Sequence, residues 1–458
     1  MNPSIRTILA AAMMLGVAAS LDAQRIPAPD SAARAAQGRL IDAALKDSAA
    51  WGRLALLADD FGNRPSGSAR LERAIDWIVS QMKKDGLDNV HTEPVTVPVW
   101  ERGVESAVLL SPRRDTLVML GLGRSVGTKT GGITARVLVV KDFADLRARA
   151  TDAKGKIVLF DFPFDTAQTP FAAYGEAVMY RATGADSAMM FGAVAVLVRS
   201  VTSMSLRTPH TGALFYHDST HRLPAAAVSV EDAAMLHRMQ DRGDKIVVKL
   251  TMGARFRPMA PSRNVVAEVL GSERPDEVIV LGGHIDSWDV GQGAMDDGGG
   301  SVAAWEAVRL IKKLGLRPRR TIRVVLWTNE ESGLAGGRAY AKAHAARVSD
   351  IVIAMESDNG VFTPRGVRVA GPDSIIDQLK PVIAPLARIG ITTVEKGESE
   401  ADVSPMNALG VPAVSVETDP SKYFWYHHTR ADTPDKVDPR QMAACVAAMA
   451  AIAYGVAW

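Results

Sequence analysis

The second half of the sequence alternates between strand-like and helix-like segments, and this alternation constrains the fold more than any other feature. Each strand-like segment is a short apolar run, and each helix-like segment spaces apolar residues three or four positions apart. The strand-like runs are 277–282, 321–327, 351–355 and 411–416, and the helix-like runs are 298–314 and 332–346. Strands and helices that alternate in this way build a sheet covered by helices. The sequence therefore predicts an α/β fold from about residue 262 onward.

Residues 101–257 have a different character. Short β-like runs are separated there by glycines and polar turns, with one helix candidate at 230–242. The β-like runs are 135–140, 156–160, 193–198 and 245–250. We therefore expect a β-rich domain inserted between residues 24–100 and 258–458, which form the two parts of a larger domain.

The first 23 residues resemble a secretory signal peptide. A positive charge at Arg6 precedes an uncharged, mostly apolar run over 7–20, and small residues lead up to Ala23. A run of this length is too short to span a bilayer comfortably, and the small residues suit cleavage after Ala23. The mature chain is therefore expected to be periplasmic or secreted, and the alternative is a buried N-terminal helix.

The residues after this segment have helical periodicity. It extends over 30–60 and again over 71–84, where a turn at 63–68 supplies a capping residue. Residues 24–40 are rich in Ala, Arg and Gln, and the sequence leaves open whether they form a flexible, removable pro-segment.

Charge and cysteine content exclude several classes of protein. The 53 lysine and arginine residues nearly balance 51 aspartate and glutamate residues, so the net charge of +2 gives no electrostatic case for binding nucleic acid. The single cysteine, Cys445, excludes an internal disulfide framework and a cysteine-rich metal site. Residues 441–458 form a second uncharged run without a flanking basic cluster, which favours a docked C-terminal helix over a membrane anchor.

Histidine, aspartate and glutamate residues cluster directly after the predicted strands. The segments that carry them are 282–288, 294–300, 327–333, 355–358 and 426–429. Ligands in open α/β sheets bind beyond the carboxyl ends of the strands, so these side chains are expected on one rim. Imidazole and carboxylate groups without thiolate suit Zn²⁺, Co²⁺ or Mn²⁺, and several shared carboxylates favour two metals. Each segment alone is a weak signal of a metal site. For example, Asp-Asp before glycines is usually a helix cap.

Together and in this order, the segments resemble a known family, the co-catalytic zinc metallopeptidases that include bacterial leucyl aminopeptidases and glutamate carboxypeptidase II. The likeness starts with 283–300 and continues through 326–331, 355–358 and 423–428. It also reaches the insertion at 229–233. The resemblance implies a mixed-sheet α/β/α peptidase domain, and it implies that the inserted β-rich segment is a protease-associated domain.

The resemblance further implies two Zn²⁺ ions per chain. His284 and Asp358 would bind one ion, Glu331 and His428 would bind the other, and Asp296 would bridge both. All of these residue types are present at the matching positions, so the implied ligand set is complete.

Roles beyond the metal ligands follow from the same resemblance. Glu330 would be the general base, and Asp286 would orient His284 through its other ring nitrogen. His427 stands where glutamate carboxypeptidase II has a tyrosine, which makes it a candidate for stabilising the oxyanion.

Substrate contacts are the least specific part of the sequence-based assignment. Asp402 lies in a loop that follows the family only loosely and is assigned to the substrate pocket. Tyr423 and Tyr426 flank an aromatic run that forms either a substrate wall or part of the core. Three histidines of the insertion are expected in a surface loop, with an active-site lid as the alternative; they are His210, His217 and His221.

The function that this resemblance implies is an exopeptidase that hydrolyses short peptides, with dipeptides bearing a free N-terminus as the expected substrates and a homodimer as the expected assembly. Three alternatives compete with it. The first is a carboxypeptidase, and the second is a single-zinc acyl transferase similar to glutaminyl cyclase, whose relatives generally lack the insertion. The third is a non-catalytic binding protein similar to transferrin receptor ectodomains, which have lost metal ligands.

Overall fold

The computed structural model describes residues 26–218 and 220–458 of the 458-residue chain. The predicted signal segment, residues 1–23, lies outside the described residues. The described chain forms two eight-stranded sheets, and both contain parallel and antiparallel strand pairs. The α/β fold class predicted from the sequence is therefore confirmed.

Three helices and a long strand precede the insertion. They are α1 (Ser31–Ala44), α2 (Ala49–Phe61), α3 (Ala69–Lys84) and β1 (Asp88–Glu101). Helix α3 matches the predicted segment 71–84 and buries Leu71, Ile75 and Ile78 on one face. The Ser68 hydroxyl accepts a hydrogen bond from the backbone N–H of Leu71 (3.2 Å), which caps the first turn of the helix.

The second sheet is built from strands that follow β1. They are β2 (Glu105–Ser111), β3 (Asp115–Leu117), β4 (Met119–Gly121), β5 (Ile133–Val140), β6 (Ile157–Phe160), β7 (Ala195–Arg199), β8 (Ala225–Val228) and β9 (Val247–Met252). Their order in the sheet is β3-β2-β9-β5-β6-β7-β8-β4. The helices of this segment are α4 (Phe143–Ala148), α5 (Ala150–Ala153), α6 (Pro170–Met189) and α7 (Val230–Asp241). All four predicted strands and the predicted helix of this segment are present.

The sequence does not predict helix α6. Because this helix is present, the inserted segment contains less β-structure than the sequence suggests. Two glycines, Gly175 and Gly184, interrupt its pattern, and each lowers helix propensity by about 1 kcal/mol. A Cβ atom at Gly184 would lie 3.0 Å from the Phe160 ring, so the glycine allows α6 to pack closely against β6.

The rest of the chain returns to the first sheet. Its strands are β10 (Arg255–Val269), β11 (Arg274–His284), β12 (Arg320–Trp327), β13 (Ile351–Glu356), β14 (Pro364–Ala370), β15 (Val394–Lys396) and β16 (Ala413–Thr418). Its helices are α8 (Gly299–Lys313), α9 (Ala335–His344), α10 (Asp373–Ile383), α11 (Ser404–Asn407), α12 (Tyr423–Tyr426) and α13 (Pro439–Val456), and a π-helical turn, Ala294–Gly298, precedes α8.

The first sheet has the order β1-β10-β12-β11-β13-β16-β14-β15. Its four central strands, β12, β11, β13 and β16, are parallel, so their carboxyl ends share one rim. At its edge β1 pairs antiparallel with β10, and Glu101 lies opposite Arg255. The inserted sheet therefore leaves and re-enters the first sheet at adjacent positions.

Helices cover both faces of the first sheet. On one face α1, α2, α8 and α13 pack against the strands around Trp305 and Leu54, which are both fully buried. On the other face Tyr340 of α9 and Met406 of α11 pack against Val325 of β12 and Val280 of β11. This is the expected α/β/α layering.

Both ends of the described chain are built into this core. The side-chain amide of Gln37 on α1 donates hydrogen bonds to the carbonyls of Val382 and Ala451 (2.9 Å each), so the part of residues 24–40 in α1 is an integral element. The C-terminal helix α13 is docked as expected, and Cys445 is buried within it. Across residues 26–218 and 220–458, no helix combines the length and apolarity needed to cross a membrane.

Candidate active site

Three strand ends bring the predicted residues to one rim of the first sheet. Strand β11 ends at His284, which pairs in register with Trp327 at the end of β12. The loop after β12 carries Glu330 and Glu331, and Asp358 follows β13. The rim predicted from the sequence pattern is therefore present, because parallel neighbours end at the same edge.

Asp296 lies at the centre of this rim and faces two clusters. Its Oδ1 is 3.3 Å from His284 Nε2, which is also 3.4 Å from Asp358 Oδ1. Its Oδ2 is 3.2 Å from His428 Nε2, which is also 3.2 Å from Glu331 Oε2. The structure thus brings the five predicted ligand residues together as two groups that share one carboxylate.

The chemistry of these groups fits bound metal ions. Four buried atoms make no hydrogen bond within the described part of the chain, and they are His284 Nε2, Asp296 Oδ2, Glu331 Oε1 and Asp358 Oδ1. Buried polar atoms normally have a hydrogen-bond partner, so four buried atoms without one in the same place indicate a site for a bound ligand. Imidazole nitrogen and carboxylate oxygen are the donors that zinc accepts.

Burial and mutual repulsion make the ionised form of the carboxylates in this site unfavourable. Burial raises the pKa of Asp358 to about 6, and the neighbouring Asp296 charge adds to this. Burial and the charge of Asp296 likewise raise the pKa of Glu331 well above its usual range. Positive charge between these groups would relieve both effects.

Asp286 contacts its neighbours differently from the expectation. His284 Nδ1 donates to the backbone carbonyl of Asp286 (3.0 Å), whereas the Asp286 carboxylate is 3.8 Å from that nitrogen. The carboxylate accepts hydrogen bonds from the Ser66 hydroxyl and from the backbone N–H of Glu330, both at 3.1 Å. The main chain of Asp286 therefore orients His284, and its side chain positions Glu330.

Two further aspartates position the ligands, and the sequence reasoning missed both roles. Asp297 accepts hydrogen bonds from the backbone N–H groups of His284 (3.0 Å) and Gly300 (3.1 Å). Asp432 accepts from the N–H groups of three residues in a row that end at Asp296, at 2.6 to 3.2 Å. Burial raises the pKa of Asp432 to about 7. No motif surrounds Asp432, so no sequence signal could have found it.

Arg64 is a third positioning residue without a sequence signal. Its fully buried guanidinium donates to the carbonyls of Ile285 (2.7 Å), Gln292 (2.7 Å) and Gly293 (3.0 Å). The sequence pattern assigns Arg64 only to a turn. In the structure it joins the N-terminal part of the chain to the loop that leads from His284 to Asp296.

A cavity of about 290 Å³ opens over the two clusters. Residues outside the inserted segment that line it include Asp296, Glu330, Glu331, Asp358, Tyr423, His427 and His428. The inserted segment contributes Tyr174, Arg181, Ala213 and Phe215. The site therefore lies between the two sheets.

Of the three residues assigned to the substrate pocket, the structure places only Tyr423 in this cavity. Asp402 is completely buried behind the rim, next to Gly337, and lies outside the cavity lining. Tyr426 packs against the core of the first domain, which matches the core interpretation of the aromatic run. Asp402 and Tyr426 therefore both lie outside the lining of this cavity, Asp402 because it is buried and Tyr426 because it packs on the core.

His427 lies on the wall of the cavity beside the second cluster. Its ring stacks on that of His428 with centroids 3.5 Å apart, and its Nε2 is 3.6 Å from Asp296 Oδ2. Burial and the charge of His428 lower the pKa of His427 well below its usual range, which favours the neutral imidazole. His210 donates from Nδ1 to the carbonyl of His427 (2.8 Å) and is buried, which corrects the surface-loop expectation for this histidine. His217 and His221 are exposed.

Comparison with known proteins identifies the family. The model of peptidase family M28 matches residues 264–453. Carboxypeptidase Q from Xenopus laevis is 47% identical over 421 residues, which cover 91% of this chain and 88% of that protein. The chain belongs to peptidase family M28. The resemblance read from the sequence is thereby confirmed, and within the family the chain is carboxypeptidase Q-like.

Solved structures agree with this membership. A peptidase M28 precursor from Shewanella amazonensis SB2B superimposes with a TM-score of 0.89 at 36% identity and covers 94% of this M28 chain and 97% of that one. A zinc aminopeptidase from Bacillus subtilis has the same fold, with a TM-score of 0.64 at 20% identity over 88% of this chain and 94% of that one. The expected class of enzyme, a metallopeptidase, is confirmed.

Proposed function

We propose that this M28 peptidase is a two-zinc exopeptidase that hydrolyses short peptides. The observation that carries the proposal is the position of Asp296, whose two carboxylate oxygens face two separate histidine–carboxylate pairs. His284 and Asp358 would hold one Zn²⁺, His428 and Glu331 would hold the other, and Asp296 would serve both. A bridging carboxylate is what a pair of mutually repelling cations requires.

The chain's own groups account for the proton transfers of hydrolysis. Zinc ions at this site would supply Lewis acidity toward the scissile carbonyl and toward a water molecule. Glu330 lines the same cavity as the clusters, and burial together with the nearby carboxylates raises its pKa well above the usual range. A glutamate with a raised pKa can take the proton from the attacking water and pass it to the leaving amine. The Asp286 carboxylate keeps the main chain of Glu330 in place.

His427 is assigned a separate role on the cavity wall. Burial favours the neutral form of its imidazole, in which one ring nitrogen carries a proton that can be donated to the oxyanion as it develops. His210 fixes the backbone of His427 through its carbonyl, so the ring is held at a defined place.

The cavity favours a short zwitterionic peptide. Its floor carries carboxylates, whereas Arg181 reaches in from helix α6 of the insertion, with Nη1 3.4 Å from His428 Nδ1. A free peptide amine suits the first surface, and a peptide carboxylate suits the second. A volume of about 290 Å³ accommodates little more than a dipeptide. Dipeptides with a free N-terminus are therefore the proposed substrates.

The inserted sheet is assigned as a protease-associated domain over 101–257, within a catalytic domain formed by 24–100 and 258–458. Its support is the sheet topology, in which the insertion leaves after β1 and returns at β10. The signal-like pattern of residues 1–23 supports a periplasmic or secreted enzyme, and the homodimer rests on the family resemblance alone.

The test is hydrolysis of a dipeptide panel together with N-acetylated and C-amidated versions, by the zinc-loaded protein. Free dipeptides should be cleaved, acetylated ones should not, and metal analysis should give two zinc ions per chain. Glu330→Gln should reduce kcat by at least about 10²-fold, the lower range for a general base. The matched control is Glu398→Gln, which makes the same change at an exposed glutamate outside the cavity.

The same experiment separates the alternatives. A preference for acetylated substrates with a free carboxylate would reverse the polarity and indicate a carboxypeptidase. One zinc ion per chain would favour an acyl transferase similar to glutaminyl cyclase. Failure to bind metal together with failure to hydrolyse any substrate on the panel would favour a binding protein.

A further inference from the structure

Arginines from both domains converge at the mouth of the cavity. Arg338, in the first turns of α9, is exposed and lines the cavity. Arg124, in the insertion, has its guanidinium carbon 5.0 Å from the centre of the Phe215 ring, and its Nη1 is 3.8 Å from the position of a Cβ at Gly333. Phe215 and Gly333 also line the cavity, so Arg124 and Arg338 flank its entrance. We call these two residues the rim arginines.

The rim arginines have no counter-charge in the part of the chain that the structure describes. Among residues 26–218 and 220–458, no carboxylate lies within ion-pair distance of Arg124, Arg338 or the neighbouring Arg222. Elsewhere in the fold, arginines are paired, for example Arg323 of β12 with Glu268 at 2.6 Å. Unpaired guanidinium groups at the entrance to a cavity make a strong anion-attracting surface.

The arrangement at Arg124 is also energetically unfavourable. Its backbone has a φ of 65°, in the left-handed region that a non-glycine residue rarely adopts. Burial lowers the pKa of Arg124, and the charges of Arg222 and Arg338 lower it further. A bound anion would offset this repulsion.

We propose that the rim arginines bind a carboxylate of the peptide substrate, which makes the enzyme prefer peptides that present a carboxylate at the mouth of the cavity. The proposal rests on the peptidase function proposed above and adds a specificity to it. Guanidinium groups bind carboxylates through paired N–H donors, and Arg338 is placed to meet the part of a substrate that extends out of the cavity. The carboxylate comes either from an Asp or Glu side chain or from the peptide C-terminus.

The test compares substrates that differ by one charge. Ala-Glu against Ala-Gln, and Asp-Ala against Asn-Ala, vary the side-chain carboxylate. Ala-Gln against its C-terminal amide varies the terminal carboxylate. Arg338→Gln and Arg124→Gln are each measured beside Arg317→Gln, which removes an exposed charge before β12, at the end of that strand remote from Glu330.

If the arginines bind a side-chain carboxylate, kcat/KM for the acidic substrate divided by that for its amide should fall about fivefold in each rim variant. The change should lie mainly in KM, and its size corresponds to the loss of an ion pair of about 1 kcal/mol. For a terminal carboxylate, the ratio of free acid to amide should fall instead. In the wild type the preference should weaken at raised salt, because exposed charges are screened.

The outcomes distinguish this proposal from the one on which it rests. If both ratios stay the same in the rim variants as in Arg317→Gln, the rim arginines do not bind substrate, although the peptidase function stands. If the wild type cleaves none of the dipeptides, acidic or neutral, the peptidase proposal has failed. Binding of Ala-Glu and Ala-Gln to Glu330→Gln, measured by calorimetry with and without Arg338→Gln, then tests the rim arginines without turnover.

Discussion

At the scale of single residues, Asp286 shows how a side chain can act on a metal site without touching a ligand. Its carboxylate accepts a hydrogen bond from the backbone N–H of Glu330, whereas its backbone carbonyl accepts one from Nδ1 of His284. Asp286→Ala should therefore lower kcat by about tenfold or more while zinc content and zinc affinity stay near those of the wild type. Steady-state kinetics and metal titration of the same preparations measure both quantities.

The control for this prediction is Ser66→Ala, which removes one donor to the carboxylate and leaves its contact with Glu330. A loss of zinc affinity in Asp286→Ala that matches the loss of kcat would mean that the side chain acts through His284 after all.

The residues found and missed by sequence reasoning differ in where their partners lie. His284, Asp296, Glu331, Asp358 and His428 are recognisable because each sits in a short motif at a strand end or in a loop. The role of a residue such as Asp432 depends on backbone donors 136 to 138 residues away, and no local pattern records such a contact. The same holds for the buried Asp402, whose environment depends on Gly337.

At the scale of elements, Asp47 ties the start of α2 to α8. Its carboxylate accepts from the backbone N–H of Ala49 (2.8 Å) and from Arg309 (2.7 Å) and Lys313 (3.1 Å) on α8. Burial opposes ionisation, but these donors outweigh it and lower the pKa of Asp47 to about 2, against a usual value of 3.8. The native state therefore binds fewer protons, and this stabilisation is present above about pH 4 and is lost as the pH falls toward 2.

Asp47→Asn should accordingly lower the free energy of unfolding by roughly 1 to 2 kcal/mol at pH 7, and the difference from the wild type should shrink near pH 3. Thermal unfolding at the two pH values measures this, with Asp59→Asn on the exposed face of α2 as the control. A difference that is the same at both pH values would show that the ion pairs do not contribute.

Elements were predictable where one face is buried and the period is clear, as in α3 and α8. Strand β10 escaped prediction because its first half, Arg255–Ala260, is largely exposed and so lacks alternation. That half is held by hydrogen bonds to β1, which the sequence cannot reveal.

At the scale of the whole molecule, the sequence indicates an inserted segment but not its position over the site. That position depends on contacts between the inserted segment and the rest of the chain, such as those of Arg102, which lies between β1 and β2. Arg102 is 8% exposed and binds both carboxylate oxygens of Asp289, at 2.6 and 2.8 Å. Asp289 belongs to the loop that leads from His284 to Asp296, so this pair joins the insertion directly to the candidate metal site.

Breaking this pair should therefore affect stability and substrate binding together. Arg102→Gln should lower the free energy of unfolding by about 3 kcal/mol, because it leaves the charge of Asp289 unpaired beside a buried site. It should also raise KM for dipeptides, because Arg181 and Phe215 of the insertion would no longer be held over the cavity, whereas zinc content should not change.

A double-mutant cycle with Asp289→Asn isolates the pair, since two residues in contact should show a coupling energy of at least about 0.5 kcal/mol. Arg347→Gln is the matched control, because its pair with Asp276 is exposed on both sides and should contribute at most about 1 kcal/mol. If Arg102→Gln destabilised the protein but left KM unchanged, the insertion would be held over the cavity by its other contacts. If both quantities changed and the cycle showed no coupling, Arg102 would act through Gly121 and Thr211 of the insertion, to which it also donates, and not through Asp289.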